Sequence, residues 1–451
     1  MRIFFIFAGG LPNSKKIKNA AVLRNWQFFQ SAKKLKAEIF FIEILENCSK
    51  NFQKTKCGKF SGFKINKNFF SKKLLQKVID FNPDFLVGVN FIGSFLATRI
   101  LENLSLKKQK KIIFWADLNG LVMTEIQAQA RILRSNNFLP HFWQMEKKIL
   151  SMADKISTVS NPGKFAVLGE LASIGRLRFE NFGHNFVEKI ANCSEFFPKE
   201  KENFGQKISN SKIAKKLKLP AKKFLIGQIG GFNAWVDWEK MFSGVEIAMK
   251  KNDHIFFVTT GGKLKNIDEK SFINFYNAAQ KSKFSDRFIF LGWVDNNEIP
   301  KIYRQIDCVI NIDFDCAETF CGARNRLTES LKFGRAIIST IGSEIAQKIV
   351  ETGAGISVKT EKDLAEKILQ LAENKTLQKK MERNSKQLFD KFFKIGNNKE
   401  MENFELFLQN GQKAPKKNIN LSTNFSSKIR AGVFFLKKRG IKQFLKRIFK
   451  L

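Results

Sequence analysis

The feature that most constrains the fold is a regular alternation of short apolar runs with helix-like stretches, which begins twice along the chain. In the first half, runs such as residues 3–8 and 85–89 have the length and composition of buried strands. The pattern stops in the polar residues 190–222 and begins again at residues 224–229. Such alternation is typical of parallel sheets with helices on both faces. The sequence therefore predicts an α/β protein with two Rossmann-like, doubly wound domains that face a cleft.

The same pattern predicts the domain boundaries. We expect a first domain at 1–190, a linker at 191–222, a second domain at 223–375, a helical segment at 376–410 that returns to the first domain, and a tail at 411–451. Ligands of doubly wound sheets bind outside the carboxyl ends of the strands. In the second domain, Gly230, Gly231 and the loop 313–322 fall at such ends.

Composition limits the setting in which the protein works. The net charge is +38, but 49 Phe beside 2 Tyr suggest a biased genome, which weakens that charge as evidence of function. A strongly basic chain still attracts polyanions such as nucleic acid, anionic lipid or diphosphates. Six cysteines without regular spacing favour a reduced, cytoplasmic setting. The apolar start is too short for a signal peptide, and no run is long enough for a membrane span.

The tail is the most basic part of the chain. Residues 411–451 contain 12 Lys or Arg and no Asp or Glu, and their apolar residues near the end follow helical spacing. A basic amphipathic helix of this kind lies in a membrane interface. We therefore expect residues 428–451 to hold the protein peripherally on an anionic membrane surface, the inner face of the plasma membrane. A disordered tail that only aids solubility is the alternative.

One stretch of the second domain points to a ligand. Arg324 and Arg326 flank the predicted start of a helix, and Glu329 lies about one turn into it. A helix N-terminus beside arginines binds diphosphates well. A carboxylate further along can accept hydrogen bonds from sugar hydroxyls. Together these residue types predict a site for a nucleotide sugar, with Gly230 and Gly231 offering backbone N–H groups nearby.

Four stretches resemble the GT-B glycosyltransferases, specifically the retaining enzymes of glycosyltransferase family 4 that build cell-surface polysaccharides. They are residues 152–160, 227–237, 322–340 and 351–358, and the likeness extends loosely over residues 1–400. The resemblance implies that the first domain is on the acceptor side and that the second binds the nucleotide-sugar donor.

The resemblance also implies roles for single residues. Glu329 would hold the nucleotide ribose, and Glu318 would lie by the donor sugar or its phosphates as a catalytic residue. Trp235 and Asp237 belong to the opening of the donor domain, and the family uses the loop that corresponds to Gly9 and Gly10 near the phosphates. Asp237 as a helix N-cap and the glycine pair as a simple tight turn are the structural alternatives.

Three positions depart from the family pattern. Glu318 and Glu329 are separated by ten residues, more than in the common pattern. Phe232 occupies the place of a usual arginine, so Arg324 and Arg326 become the candidate diphosphate ligands. Asp117 stands nearest to the place of a histidine at the cleft, which makes it a candidate catalytic residue or an ordinary polar residue at a strand end.

We expect no metal at the site and no obligatory cofactor, with the nucleotide sugar as co-substrate. Asp313-Phe-Asp315 is the one candidate metal motif, and we interpret it as a polar loop after a strand. Transfer from a nucleotide sugar needs mainly fixed cations and N–H groups that stabilise the departing diphosphate.

The sequence thus predicts a retaining transferase that moves sugar from a UDP- or GDP-linked donor to a saccharide or lipid-linked acceptor in cell-surface polysaccharide synthesis. A polyanion- or nucleic-acid-binding protein is an alternative, although no specific nucleic-acid-binding signature is present and we expect no specific nucleic acid as partner. A nucleotide-sugar epimerase of the same fold and a catalytically inactive GT-B scaffold are further alternatives.

Overall fold

A computed structural model of the chain describes residues 1–12, 20–45, 52–66, 70–105, 108, 111–195, 219–220, 222–263 and 268–414. These residues form two α/β domains, each built on its own largely parallel sheet. The predicted fold class is therefore confirmed for the two domains. The predicted amphipathic helix at 428–451 lies outside the described residues.

The first domain contains an eight-stranded sheet in the order β3-β4-β2-β1-β5-β6-β7-β8. Its strands are β1 Arg2–Ala8, β2 Glu38–Leu45, β3 Gln53–Cys57, β4 Phe60–Asn66, β5 Phe85–Val89, β6 Ile113–Asn119, β7 Lys155–Thr158 and β8 Val187–Lys189. Its helices are α1 Ala20–Lys33, α2 Lys72–Phe81, α3 Asn90–Glu102, α4 Val122–Leu133, α5 Leu139–Met152 and α6 Asn161–Ser173. All neighbours pair in parallel except β3 and β4.

The strand β1 shows why the sequence folds in this way. Its central residues are all buried, because helices cover both faces of the sheet. Phe4 and Ile6 enter the core on one face, while Ile3, Phe5 and Phe7 enter the core on the other. A continuous apolar run is the expected sequence of a strand buried on both faces.

The edge hairpin β3–β4 was not predicted. Gln53–Cys57 and Phe60–Asn66 pair as an antiparallel hairpin that extends the sheet. The residues of β3 are exposed or half-buried. An edge strand with little buried surface carries almost no hydrophobic pattern, and pairing with β4 decides its conformation.

The second domain contains a six-stranded parallel sheet in the order β11-β10-β9-β12-β13-β14. Its strands are β9 Phe224–Gln228, β10 Ile255–Thr260, β11 Phe288–Gly292, β12 Cys308–Asn311, β13 Ala336–Ser339 and β14 Gly355–Ser357. Its helices are α7 Trp238–Lys251, α8 Lys270–Lys281, α9 Ile299–Gln305, α10 Ala317–Cys321, α11 Asn325–Lys332, α12 Glu344–Glu351, α13 Glu361–Glu373 and α14 Lys375–Leu388. The strand order reverses between β9 and β12, where doubly wound sheets bind ligands.

The chain crosses between the domains twice, at residues 191–195 and 389–399. The two crossings pair, since the Ser194 N–H donates to the Phe393 carbonyl at 2.8 Å and the Ile395 N–H donates to the Ser194 carbonyl at 2.9 Å. We expected the whole of 376–410 to return to the first domain. Only α15, Glu400–Asn410, packs there, against Phe28 and Trp115, whereas α14 packs on the second domain.

No helix in the described ranges has both the length and the apolar content that a bilayer crossing requires.

The core of the first domain contains a carboxyl group, Glu146 on α5, which is fully buried. Burial, and then the charge of nearby Glu170, raise its pKa from 4.5 to about 8. Between these two pH values the folded chain keeps a proton that the unfolded chain has lost. This group therefore makes folding less favourable as the pH rises through that window.

We expect Glu146→Gln to flatten the loss of stability between about pH 5 and pH 8. Chemical denaturation at both pH values measures the difference. The exposed Glu373→Gln on α13 is the matched control and should retain the wild-type pH dependence. A Glu146→Gln variant with the wild-type dependence would contradict the assignment.

Candidate active site

A cavity of about 630 Å³ lies between the carboxyl ends of the two sheets. Both domains contribute to its wall, as expected for a site at the cleft of two doubly wound domains. The first domain supplies Asn119, Gly120, Glu125, Gln129 and residues of α1; the second supplies Gly230, Gly231, Trp235, Trp293, Asn311, Glu318, Arg324, Arg326 and Glu329.

The glycine loop after β9 forms the floor of the donor side. Gly230 has a φ of 105° and Gly261, after β10, has a φ of 80°. A Cβ atom at Gly261 would lie 2.7 Å from the carbonyl carbon of Gly230. Both positions therefore require glycine, and the close approach of the two loops leaves the Gly230 and Gly231 backbone at the cavity wall.

Arg326 is the cation that this loop holds in the cavity. Its Nε donates to the Ile229 carbonyl at 2.7 Å, and its Nη2 donates to the Gly231 carbonyl at 2.9 Å. Among the described residues, no carboxylate forms a salt bridge with this guanidinium. Burial lowers the pKa of Arg326, yet arginine stays charged near neutral pH. A positive charge without a salt-bridge partner among the described residues is thus fixed beside the glycine loop.

Arg324 has a different environment from the one expected of a diphosphate ligand. Its Nε donates to Asp313 Oδ2 at 2.6 Å, and its Nη2 and Nη1 donate to the two oxygens of Glu318 at 2.7 and 3.0 Å. The guanidinium is 4% exposed and stacks 5.4 Å from the Trp235 ring centroid. Since two carboxylates already neutralise it, we correct the expectation. Arg324 holds Glu318 in place, and Arg326 is the cation available to a ligand.

Glu318 lies at the N-terminal turn of the short helix α10 and lines the cavity while only 3% exposed. Burial raises the pKa of this carboxyl, and the adjoining Arg324 guanidinium opposes the shift. Bidentate pairing with Arg324 fixes its orientation. Glu318 can therefore present a stationary carboxylate to a sugar at the cleft.

Glu329 links the donor side of the cavity to the segment 191–195, which crosses between the two domains. Its Oε1 accepts from Ser194 Oγ at 2.5 Å, and its Oε2 lies 2.5 Å from Lys332 Nζ. It is half-buried and lines the cavity. A carboxylate oriented by two partners can still accept hydrogen bonds from a diol on its open side, as a ribose requires.

Glu125 on α4 is a site residue that the sequence did not suggest. It faces the donor side from the first domain, where burial and then the charge of Glu318 raise its pKa to about 8. At neutral pH it is therefore mostly protonated and can donate a hydrogen bond into the cavity. Glu125 lies on the helix that follows β6, and no sequence motif marks its position. Only the tertiary structure therefore identifies it as a site residue.

Asp117 does not reach the cavity. It is fully buried, and its two oxygens accept from Arg24 Nη2 at 2.6 Å and Arg24 Nε at 3.1 Å. Ser157 Oγ donates to the same carboxylate at 2.7 Å. The strand β6 continues to Asn119, so Asp117 lies inside the strand, and Asn119 occupies the strand end. We therefore correct the catalytic assignment: Asp117 and Arg24 form a buried ion pair in the first domain.

Gly9 and Gly10 also lie away from the cavity wall. The side chain of Asn25 donates to the Ala8 and Gly10 carbonyls, each at 2.7 Å. Both glycines have positive φ, and a Cβ at Gly10 would contact Leu45 and Glu43. Within the described part of the loop, the tight-turn interpretation therefore describes them better than ligand binding does.

Trp235 and Asp237 have different roles in the structure. Trp235 lines the cavity, whereas Asp237 caps α7, with its Oδ1 accepting from the Lys240 N–H at 3.1 Å. Lys240 Nζ then lies 3.0 Å from Asp237 Oδ2. Asp237 is thus a helix N-cap, which was the structural alternative.

The Asp313-Phe-Asp315 motif does not converge on a point. Asp313 is buried against Arg324 and Asn311, while Asp315 is exposed. In the parts of the chain that the structure describes, no group of three or more His, Cys, Asp or Glu is arranged to hold a metal ion.

The comparisons with known proteins agree with this geometry. Residues 209–388 match the family model described as "Glycosyl transferases group 1". No curated protein matches the sequence.

Solved structures resemble about nine tenths of the chain. Sucrose-phosphate synthase from Thermosynechococcus elongatus has a TM-score of 0.65 at 12% identity, covering 90% of this chain and 98% of its own. HepE from Anabaena in complex with UDP and glucose has a TM-score of 0.62 at 14% identity, covering 90% and 99%. WaaG, a glycosyltransferase involved in lipopolysaccharide biosynthesis, has a TM-score of 0.58 at 12% identity, covering 91% and 100%.

Such low identities show the fold, and the family match shows the nature of the second domain. The chain therefore has the GT-B fold, and its second domain matches the glycosyl transferases group 1 family.

Proposed function

We propose that this protein is a glycosyltransferase that transfers sugar from a UDP- or GDP-linked donor, with retention of configuration, to a saccharide or lipid-linked acceptor in cell-surface polysaccharide synthesis. The observation that carries the donor assignment is one cavity that brings together Arg326 without a salt bridge among the described residues, a glycine loop and an oriented Glu329. These groups match a diphosphate and a ribose. HepE from Anabaena was solved in complex with UDP-glucose, which favours UDP as the nucleotide of the donor.

We propose one order for the donor in the cavity. Arg326 and the Gly231 end of the glycine loop hold the diphosphate, since the Gly230 N–H already donates to Thr260 Oγ1 at 3.0 Å. Glu329 holds the ribose, and Glu318 faces the sugar. Trp293 follows β11, is 57% exposed and lines the same cavity. A half-exposed indole is a stacking surface for a nucleobase. This placement leaves the first-domain side, with Asn119 and Glu125, for the acceptor and the transferred sugar.

Retention is supported by the state of the acidic groups. Glu318 is paired with Arg324. Glu329 is bound by Lys332 and Ser194, and Glu125 is mostly protonated at neutral pH. Among the described residues that line the cavity there is no histidine and no unpaired carboxylate to act as a strong base. The remaining base is the departing diphosphate.

The reaction then has a simple balance. The bond between C1 of the sugar and the β-phosphate oxygen breaks, and the acceptor oxygen bonds to C1 on the same face. The acceptor's proton passes to the departing phosphate oxygen, whose growing charge Arg326 stabilises. The residues perform this chemistry by position and charge, so we propose that no metal or other cofactor is obligatory.

The acceptor and the cellular location rest on other features. The basic residues 428–451 support a peripheral position on an anionic membrane, at the cytoplasmic face of the plasma membrane. WaaG acts in lipopolysaccharide biosynthesis, and its similar fold supports a cell-envelope acceptor.

A thermal-shift panel with UDP, GDP, ADP, CMP and their sugar conjugates tests the donor assignment. We expect UDP or GDP and its conjugates to raise the Tm, by the equivalent of about 2.7 kcal/mol at one hundred times Kd. Trp293→Ala should bind the same nucleotide roughly tenfold more weakly because it loses base stacking. The control Leu406→Ala, on α15 far from the cavity, should shift as wild type.

A selective shift followed by sugar transfer in excess chelator supports the proposal. Absence of a shift with every nucleotide would contradict it and favour an inactive scaffold or a polyanion-binding protein. Complete loss of transfer in chelator would contradict the metal-independent part alone.

A further inference from the structure

Two phenylalanines on one turn of the first domain are almost fully exposed. Phe179 is 86% exposed and Phe182 is 95% exposed, and Leu177 beside them is 42% exposed. The turn 177–182 connects α6 with β8 and contains a short 3-10 helix, Phe179–Asn181. Large aromatic side chains in this position are costly in water and mark interaction surfaces when they cluster.

The turn is held firmly while its aromatic groups face outward. Asn181 is buried, its Nδ2 donates to the Arg176 carbonyl at 2.8 Å, and its Oδ1 accepts from the Arg178 N–H at 2.9 Å. Arg176 is itself buried and donates to the Ala153 carbonyl at 3.0 Å. The backbone is thus fixed from below, so the exposure of the two rings belongs to the folded state.

The turn lies at the amino edge of the sheet, with positive charge beside it. The strands β6, β7 and β8 are parallel neighbours, so the segments that precede them meet at one edge. Exposed Lys108 and Lys111 precede β6, exposed Lys147 lies near the end of α5 before β7, and the turn precedes β8. The acidic groups here are paired, Glu102 with Lys148 at 2.6 Å and Glu180 with Arg178 at 2.8 Å.

The basic tail begins at the same edge. Asp154 directly precedes β7, and its Oδ1 accepts from the Ala414 N–H at 3.0 Å. His184, two residues after the turn, lies 3.0 Å from the Asp154 carbonyl through its Nε2. The sequence after Ala414, residues 415–451, contains 11 Lys or Arg and no Asp or Glu. Aromatic rings, surface lysines and the start of a strongly basic segment therefore share one edge of the domain.

We propose that this amino edge, formed by the turn 177–182 with Lys108, Lys111 and Lys147, docks on an anionic lipid bilayer. The two rings enter the interface between headgroups and acyl chains, where aromatic side chains are favoured. The lysines and the basic tail contact the anionic headgroups. On a neutral bilayer only the aromatic rings interact favourably, so the protein binds more weakly.

The docked orientation has a consequence for the acceptor, which rests on the proposed function. The cleft lies at the opposite, carboxyl edge of the sheet, about 23 Å away along the seven residues of β6. The enzyme then presents its site to the outer end of a membrane-tethered saccharide, not to a sugar at the lipid headgroup.

Co-sedimentation of the full chain with vesicles tests the docking. We use phosphatidylcholine vesicles with and without about 30 mol % phosphatidylglycerol, an anionic lipid. The wild type should bind the anionic vesicles, and Phe179→Ser with Phe182→Ser should bind at least roughly tenfold more weakly because two buried rings are lost. Both side chains are exposed in the folded protein, so the variant should keep its Tm.

The matched control is Phe165→Ser. Phe165 is 68% exposed and lies in the first turns of α6, the helix that precedes the turn 177–182. This end of α6 is at the cleft edge, where Ser160 contacts the second domain. This variant should bind vesicles as the wild type does. A second variant, Lys108→Gln with Lys111→Gln and Lys147→Gln, should bind anionic vesicles more weakly and neutral vesicles unchanged.

Three results would overturn the docking proposal. The double serine variant binds as tightly as wild type, the control loses binding equally, or the wild type is a dimer that the double serine variant converts to a monomer. Nucleotide-induced Tm shifts of the same variants test the donor assignment separately from the docking. Because the turn is remote from the cavity, these shifts should equal those of the wild type.

Discussion

Arg326→Met is expected to lower kcat/KM for sugar transfer by about 100- to 1,000-fold, which is the usual effect of removing one preorganised charge from a developing anion. Arg326 is the cavity-lining cation without a carboxylate partner among the described residues, and it is fixed by the Ile229 and Gly231 carbonyls. Its charge is therefore available to a ligand in the cavity. Steady-state release of nucleotide from the donor measures the effect.

Two further variants separate charge from folding. Arg326→Lys keeps the charge but loses the forked contacts to the loop, so we expect partial recovery of kcat/KM. Arg383→Met removes an exposed arginine of α14 and should leave kcat/KM unchanged. If Arg326→Met retained wild-type kcat/KM with a normal Tm, the diphosphate would have to bind elsewhere.

Asp117→Ala should destabilise the first domain by about 3–5 kcal/mol, because it leaves the Arg24 guanidinium buried without its carboxylate. Both side chains of this pair are fully buried, 2.6 Å apart. Arg24 Nη1 also donates to the Ile190 carbonyl at 2.7 Å, so the pair secures the segment that enters the domain crossing. Denaturation in urea, followed by a probe in the first domain, measures the loss.

The double variant Arg24→Met with Asp117→Leu tests the cause. It removes both charges, so we expect it to recover most of the stability that Asp117→Ala loses. Asp80→Ala, at a side chain that is 52% exposed, is the surface control and should have little effect. A stable Asp117→Ala variant that has lost turnover would instead restore the catalytic role.

Local patterns were sufficient for the regular elements. The runs at 85–89 and 224–229 were predicted as strands and form Phe85–Val89 and Phe224–Gln228, because a buried apolar run between breaks is a property of neighbouring residues. The same holds for the restart of the alternation in the second domain. The edge hairpin β3–β4 was missed because its strands bury little surface and carry little pattern.

The site shows the limit of such reasoning. Arg324 and Arg326 are two residues apart and chemically identical, yet one is neutralised by Asp313 and Glu318 while the other faces the cavity. Sequence spacing does not distinguish them, because the carboxylates that decide the difference come from a separate loop and a separate helix. The free charge is a property of the assembled domain.

By itself, the sequence determined the α/β class, the two-domain order, the glycine loop and the cavity-lining stretch around Glu329, since all of these arise from residues close together in the chain. The tertiary structure alone decided that Asp117 is a buried structural partner and that Glu125 enters the cleft. It also placed the rings of Phe179 and Phe182 beside the start of the tail. The physical reason is that strand length and domain packing, set by distant contacts, determine which polar groups are buried and which face the ligand or the solvent.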